Sequence, residues 1–371
     1  MRPLVKTVAR VLPVALLVLA TSEAALAQGR GKKGDKEKDK PAAATTVEKV
    51  TILLNSGRKH DGVTLLEEKF AGIKFRVRPG QEETVKGEDV AEVRHDPPHP
   101  AFSSGLSQMN AGLFDKAVKS FTNARNAAKD GTSARVHASF WLGEALRQVG
   151  SAESLKGAIE EYGRVPNDHW LAPRAHYGKG LALAGAGKQS EALASFKKLE
   201  GYGDRWRIQG KLGEGNALLE LKKPGDARQA FEIANSGAGG KYTDLAREAQ
   251  TGIGKAYVLD KRYDDAVKNF DRILNDRGVD VEVAGSAWVG KGNCRYEQAK
   301  EKGNPKELVQ EALLAYLTAT TRYAGSSAYA EALFKAQEIY GKLGLPEQQK
   351  HLADELRSRF PEGAWTKKLS K

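Results

Sequence analysis

The sequence predicts a mainly α-helical protein: a solenoid of about seven stacked helix pairs, preceded by a small five-stranded β-barrel. The phrase FDKAVKSF at residues 114–121 recurs almost unchanged as YDDAVKNF at 263–270, which indicates an internal repeat. Between residues 47 and 96, apolar and polar residues alternate at period two, as in strands with one buried face. From residue 101 onward helical periods replace this alternation.

The first 27 residues have the three parts of a secretory signal peptide. A positively charged start precedes a short apolar run at residues 11–19, and the small residues ALA at 25–27 form a cleavage pattern. The apolar run is far shorter than the roughly 20 residues of a membrane span. We therefore expect cleavage after Ala27, a periplasmic or secreted bacterial protein, and no transmembrane segment. The positive residues are Arg2, Lys6 and Arg10.

Residues 28–46, QGRGKKGDKEKDKPAAATT, contain no aromatic and no β-branched aliphatic residue. Such a segment cannot bury enough apolar surface to offset the entropy of ordering it, so we predict a disordered basic linker. Its charge leaves a second interpretation open, an electrostatic tether to an anionic lipid or cell-wall polymer.

Residues 47–96 hold five short segments with strand character: KVTILL, GVTLLEE, IKFRV, ETVKG and DVAEVRHD. In the third, Ile73, Phe75 and Val77 alternate with Lys74 and Arg76, as expected for a strand with one buried face. Five strands in about fifty residues suit a small, strongly curved barrel better than a two-sheet sandwich. The proline-rich HDPPHP at 95–100 ends this module because proline cannot donate to a strand ladder.

The β module resembles Sm-like and related SH3-like barrels. VTILLNSGRKHDGVTLLEEKFAGIKFRV is similar to the first Sm motif, and VKGEDVAEV, which includes Lys86-Gly87, is similar to the second. In RNA-binding Sm proteins an Asp and an Asn in the loop after the second strand help to hold a base. The corresponding loop here, EEKFAG, has neither. The resemblance therefore implies the fold, and nucleic-acid binding only as an alternative function.

The helical region repeats a pattern of a small residue, an alanine about twelve positions later, and an aromatic residue four beyond that. The connecting turn is three residues longer in the second unit and eight residues longer in the sixth. Small residues let two helices approach closely, and the aromatic fills the space between neighbouring helix pairs. The small residues, called anchors below, are 35 to 44 residues apart. The seven sets are Gly105, Ala117 and Phe121; Gly143, Ala158 and Tyr162; Gly180, Ala192 and Phe196; Gly215, Ala227 and Phe231; Gly254, Ala266 and Phe270; Gly292, Ala312 and Tyr316; and the degenerate Ala336, Gln348 and Leu352.

This pattern resembles the tetratricopeptide repeat. GKAYVLDKRYDDAVKNFDRIL at 254–274 is similar to the family consensus, as is GLALAGAGKQSEALASFKKL at 180–199. The resemblance implies a solenoid over residues 101–371 whose first helices line a concave face that binds protein partners. The ending LRSRFPEGAW and the internal VPNDHWLAPRAHY also resemble the subfamily found in exported bacterial envelope proteins.

No catalytic constellation is evident. The sequence contains no Gly-x-Ser-x-Gly elbow and no phosphate-binding loop, since GKGNCR at 290–295 has the wrong spacing. His95 with His99, and His169 with His176, lack a third ligand at a recognisable spacing, so we predict no metal and no cofactor. The single cysteine, Cys294, excludes an intramolecular disulfide and is expected to pack inside a helix pair.

The predicted partner-binding groove follows from the anchors. Residues directly after an anchor and three before it share one helix face, and this face lines the concave side. No first helix carries Lys and Asn four residues apart, so the usual tetratricopeptide clamp for a C-terminal carboxylate is not expected. The same residues could instead be merely solvated. The predicted groove residues are Tyr177, Leu181, Asn216, Lys255 and Asn293.

The sequence thus predicts an exported, non-enzymatic scaffold that binds a protein partner, with a role in cell-envelope assembly or maintenance. The net charge of +12 favours an acidic protein or an anionic envelope polymer. The alternative is binding of nucleic acid or an anionic polymer through the β module, although export would separate the protein from cytosolic nucleic acid. A third hypothesis, a cell-wall hydrolase accessory, has no identifiable pair of acids.

Overall fold

The computed structural model describes residues 48–361 and 363–369. The predicted signal peptide and basic linker lie outside the described residues. Five strands come first, followed by fourteen helices. The strands are β1 (Lys49–Leu54), β2 (Lys59–Glu68), β3 (Ile73–Arg78), β4 (Gln81–Val85) and β5 (Val90–His95). The helices are α1 (Pro100–Asn110), α2 (Phe114–Ala127), α3 (Ser133–Val149), α4 (Ala152–Gly163), α5 (Ala172–Gly185), α6 (Gln189–Lys197), α7 (Asp204–Glu220), α8 (Pro224–Ala238), α9 (Thr243–Leu259), α10 (Tyr263–Leu274), α11 (Val281–Glu301), α12 (Lys306–Arg322), α13 (Tyr329–Lys342) and α14 (Pro346–Arg359).

The strands form one antiparallel sheet in the order β4-β3-β2-β1-β5. Since β4 and β5 are its two edges and do not pair, the sheet is open, and the prediction of a closed barrel is corrected on this point. A 3₁₀ turn at Gly87–Asp89 separates these two strands. At the start of β5, the guanidinium of Arg174 in α5 donates to the carbonyl of Val90 at 3.1 Å and to that of Ala91 at 3.4 Å. A side chain of the helical region, rather than β4, therefore contacts these carbonyls.

The helices form seven consecutive pairs, as the spacing of the anchors predicts. The two repeated phrases both begin second helices: α2 starts at Phe114 and α10 starts at Tyr263. An acidic residue in the first turn of each, such as Asp115 in α2, lies at the positive end of the helix dipole. The equivalence of the two phrases is thereby confirmed.

Each repeat aromatic lies between its own first helix and the first helix of the next unit. A β-carbon added at the anchor Gly254 would come within 2.6 Å of the Phe270 ring, and one added at Gly290 of the next unit within 2.4 Å. Phe231 has the same relation to Gly215 and Gly252. The prediction that these aromatics are stacking elements is confirmed. The second glycine, two residues before the next anchor, was not predicted.

The sheet and the helices share a hydrophobic core. The apolar face of the sheet, including Ile52 and Phe75, belongs to the same buried cluster as Tyr162 of α4 and Trp170 in the α4–α5 loop. The described residues from 48 onward accordingly form one compact unit. None of the described helices is both long and apolar enough to cross a membrane.

Candidate functional site

Of the predicted groove residues, Tyr177 and Leu181 lie one turn apart on α5 and are half-buried. The ring of Tyr177 packs against that of Phe196, with 5.8 Å between ring centroids. Burial raises the pKa of Tyr177 to about 12, and the negative charge of Glu248 on α9 adds to this shift. The charge of a side chain on α9 therefore affects a side chain on α5, although the first helix α7 comes between these two helices in the solenoid.

Asn216 on α7 and Lys255 on α9 directly follow their anchors, and both side chains are exposed. Neither forms a hydrogen bond or an ion pair with another residue in the described ranges 48–361 and 363–369. Their role as partner contacts remains a prediction.

Asn293 differs because its amide is already engaged. The Nδ2 atom donates to Glu331 of α13 at 2.9 Å, and Oδ1 accepts from the hydroxyl of Tyr316 in α12 at 2.6 Å. The side chain thus joins three helices of the last two units. Its role as a partner contact remains a prediction, but a partner would have to replace these two hydrogen bonds.

Two residues missed at the sequence level lie on the same helix faces. Gln209 and Glu248 precede Asn216 and Lys255 by seven residues, which is two helical turns. The Gln209 Oε1 atom is buried without a hydrogen-bond partner among the described residues. Extending the face by one further turn, from three to six residues before the anchor, would have found both.

In the preceding units the sheet engages the equivalent positions. His137 of α3 and Arg174 of α5 each stand six residues before their anchor, and both contact residues of the sheet. On α7 and α9, where Gln209, Asn216, Glu248 and Lys255 lie, no strand among the described residues engages this face. These four residues are called the open groove section below.

A second polar site is buried where the sheet meets the helices. Glu68, at the end of β2, accepts hydrogen bonds from His137 Nε2 at 2.6 Å, from Trp170 Nε1 and from Ser133 Oγ. His169 Nε2 lies 3.2 Å from Glu68 Oε2 but is not aligned for a hydrogen bond. Although burial alone would raise it, the two histidines hold the pKa of Glu68 well below its usual value.

Glu68, His137 and His169 are also the one group of three that could hold a metal ion among the described residues. Two observations speak against that role. His169 Nδ1 accepts a hydrogen bond from the backbone N–H of Leu171 at 3.1 Å, so its proton belongs on Nε2, the atom that would need a lone pair for the metal. Ligands of a tetrahedral zinc lie roughly 3.3 Å apart, whereas His137 Nε2 and Glu68 Oε1 are 2.6 Å apart. The geometry fits a hydrogen-bonded carboxylate that ties the sheet to the helices.

The two histidine pairs considered as metal ligands, His95 with His99 and His169 with His176, have other partners in the structure. His99 instead caps α1, its Nδ1 accepting from the Ala101 backbone N–H at 3.2 Å. The rings of His95 and His169 both approach His137, with centroid distances of 5.2 and 5.7 Å. Sequence reasoning missed the cluster because His137 and Trp170 are 69 and 102 residues from Glu68.

Cys294 is fully buried in α11, as predicted, and its thiol donates to the Tyr263 carbonyl at 3.3 Å. Burial raises its pKa to about 11, so the reactive thiolate is suppressed.

Comparison with known proteins agrees with this geometry. A tetratricopeptide repeat family model matches residues 212–280. A tetratricopeptide repeat protein from Parabacteroides merdae is 14% identical, with a TM-score of 0.53, over 72% of this chain and 95% of that one. The helical region therefore has the fold of a tetratricopeptide-type solenoid. No curated protein sequence matches the chain.

Two further solved structures are similar at lower TM-scores. The apo form of RapI is 14% identical with a TM-score of 0.49, over 71% of this chain and 98% of that one. The apo form of the quorum sensor NprR from B. thuringiensis is 14% identical with a TM-score of 0.45, over 71% and 76%. Within this tetratricopeptide solenoid, the segment matched by the family model contains Asn216, Glu248 and Lys255 of the open groove section.

Proposed function

We propose that the protein is an exported, non-enzymatic scaffold of the bacterial cell envelope that binds a segment of a protein partner along the concave face of its tetratricopeptide solenoid. One observation carries the proposal. On α7 and α9 the polar side chains of Asn216 and Lys255 are exposed and form no hydrogen bond or ion pair with any residue that the structure describes, while the equivalent residue of α11, Asn293, is held by its neighbours.

The surroundings of these residues support a protein ligand. Tyr177 and Leu181 on the preceding first helix provide a half-buried apolar surface beside the polar one. Lys255 and the net charge of +12 favour an acidic partner. The signal-peptide pattern at residues 1–27 supports export.

The β module offers less support for the alternative, binding of nucleic acid or an anionic polymer. Two exposed basic side chains of β3, Lys74 and Arg76, are paired with Glu82 at 2.8 and 2.9 Å. Gly87 of the motif that resembles an Sm protein packs against Phe70, with only 2.7 Å from an added β-carbon to the Phe70 carbonyl oxygen. Packing explains this glycine, so the groove remains the preferred binding surface.

Site-specific photocrosslinking in the producing cells tests the proposal. A benzophenone amino acid would replace Asn216 or Lys255, with Lys268, exposed on the second helix α10, as the matched control. We expect both groove positions to give an adduct with the same protein, identified by mass spectrometry, and the control to give none. Equal adducts at all three positions, or none at any, would refute the groove.

A further inference from the structure

The α9 part of the open groove section carries two opposite charges. Glu248 and Lys255 are seven residues apart, so they lie on one face of the helix and about 10.5 Å apart along its axis. Neither forms an ion pair within the described ranges 48–361 and 363–369. An i, i+7 pair is too distant for a direct contact, so both charges remain available to a ligand.

The protein around Glu248 affects the charge of its carboxyl group. Its side chain is exposed, yet burial by the surrounding protein raises the pKa of its carboxyl; Lys255 opposes this shift and Asp244 adds to it. Its negative charge also acts on Tyr177, two first helices away. An accessible carboxylate flanked by protein is poorly solvated, which strengthens its attraction for a cation.

Two amides complete the set on α7. Asn216 stands at the position equivalent to Lys255, and Gln209 at the position equivalent to Glu248. The Gln209 Oε1 atom is buried and unpartnered within the described part of the chain. Amides both donate and accept hydrogen bonds, as a peptide backbone requires. The face therefore combines two amides suited to a backbone with two charges suited to side chains.

We propose that the open groove section binds an extended segment of a partner protein in which a basic and an acidic residue are three positions apart. Glu248 contacts the base, Lys255 contacts the acid, and Gln209 and Asn216 contact the intervening backbone. The spacing follows from geometry, because an extended chain advances about 3.3 Å per residue and covers the 10.5 Å between the two charges in three. This inference rests on the proposed function and adds the chemistry of the partner to it.

A random decapeptide library displayed on phage, panned against the full chain, tests the spacing. We expect enrichment of peptides with Lys or Arg three positions from Asp or Glu. Representative peptides, measured by fluorescence polarisation, should lose at least about ten-fold in affinity with Glu248→Lys and with Lys255→Glu. The matched control Lys268→Glu, on the outward helix of the same unit, should leave their affinity unchanged.

The charge-swapped chain, Glu248→Lys with Lys255→Glu, keeps the net charge and should select peptides with base and acid in reversed order. Circular dichroism of each variant establishes that it is folded. Enriched peptides without a charge spacing, or an equal loss with Lys268→Glu, would overturn the inference and leave the crosslinks at Asn216 and Lys255 as support for the groove. Failure of both panning and crosslinking would overturn the proposed function as well.

Discussion

Replacing Gly252 with alanine should destabilise the solenoid, although alanine is the better helix former by about 1 kcal/mol. Gly252 lies in the interior of α9, two residues before the anchor Gly254, and faces the ring of Phe231 from the preceding unit. A β-carbon there would meet three ring atoms at 2.4, 2.5 and 2.6 Å, all under the 3.0 Å below which something must shift.

The magnitude follows from the space around the ring. Phe231 is 1% exposed, and on its other side Gly215 already approaches so closely that an added β-carbon would lie 2.6 Å away. The ring cannot retreat without moving a neighbouring helix. Overpacking of a core typically costs about 1–3 kcal/mol. After the gain in helix propensity is subtracted, we expect a net loss of up to about 2 kcal/mol.

Urea unfolding followed by circular dichroism measures the loss, and hydrogen exchange locates it. In a solenoid stability is roughly a sum of nearest-neighbour terms, so faster exchange should concentrate in α8 and α9. Gly225→Ala in α8 is the control, because an added β-carbon there has nothing within 4 Å. That variant should be neutral or slightly stabilised.

A second substitution makes the test specific. Phe231→Leu removes the ring that Gly252→Ala would strike, so adding alanine to the leucine variant should cost less than adding it to the wild type. If Gly252→Ala proves as stable as Gly225→Ala, or if the leucine background does not reduce its cost, the aromatic does not fill the space between units as described.

Three further predictions concern the junction, the pH response and export. Glu68→Gln should lower the free energy of unfolding in urea by about 2–4 kcal/mol, because the buried donors around this carboxylate lose their charged acceptor. Glu67→Gln, at the exposed neighbour, should change the free energy of unfolding by less than about 1 kcal/mol. Equal effects would contradict the role of Glu68 in joining the sheet to the helices. Burial lowers the pKa of His176 from 6.5 to about 4, and the positive charges of two neighbouring lysines contribute to this shift. As the pH drops, the unfolded chain therefore takes up the proton before the folded chain does. The free energy of unfolding should fall between pH 6.5 and pH 4. His176→Asn should reduce this loss of stability, whereas His351→Asn, at an exposed site, should not. If the stability of both variants depends on pH to the same extent, the imidazole of His176 is not the cause. Mass spectrometry of protein from its native host should find an N-terminus at Gln28, and an intact Met1 would refute export.

The helix pairs could be predicted because their signal is local and repeated. A small residue, an alanine and an aromatic at fixed spacing placed the starts of α2 and α10 at Phe114 and Tyr263, where the structure has them. The same local logic contained a further signal. Gly-x-Gly recurs in four first helices, as at Gly252 and Gly254, and its earlier glycine receives the aromatic of the preceding unit.

The closure of the sheet could not be predicted in this way. Alternation defines which face of a strand is buried, but pairing of the two edge strands depends on what lies beside them. In this protein Arg174, from a helix 79 residues beyond the end of β5, binds the carbonyls of Val90 and Ala91. No pattern within the strand segment encodes that contact.

The contacts of Glu68 explain why the sheet and the helices form one compact unit. In the sequence Glu68 is the second of two acids in GVTLLEE, yet its carboxylate accepts hydrogen bonds from donors in α3 and in the α4–α5 loop. A buried carboxylate without such donors would be costly, and donors without it would be unsatisfied. The contact therefore stabilises both the sheet and the second and third repeat units. Those contacts use His137 and Arg174, whereas the equivalent residues Gln209 and Glu248 have no hydrogen-bond or ion-pair partner among the residues that the structure describes. Fixing the sheet in place therefore also determines where along the solenoid the open groove section begins.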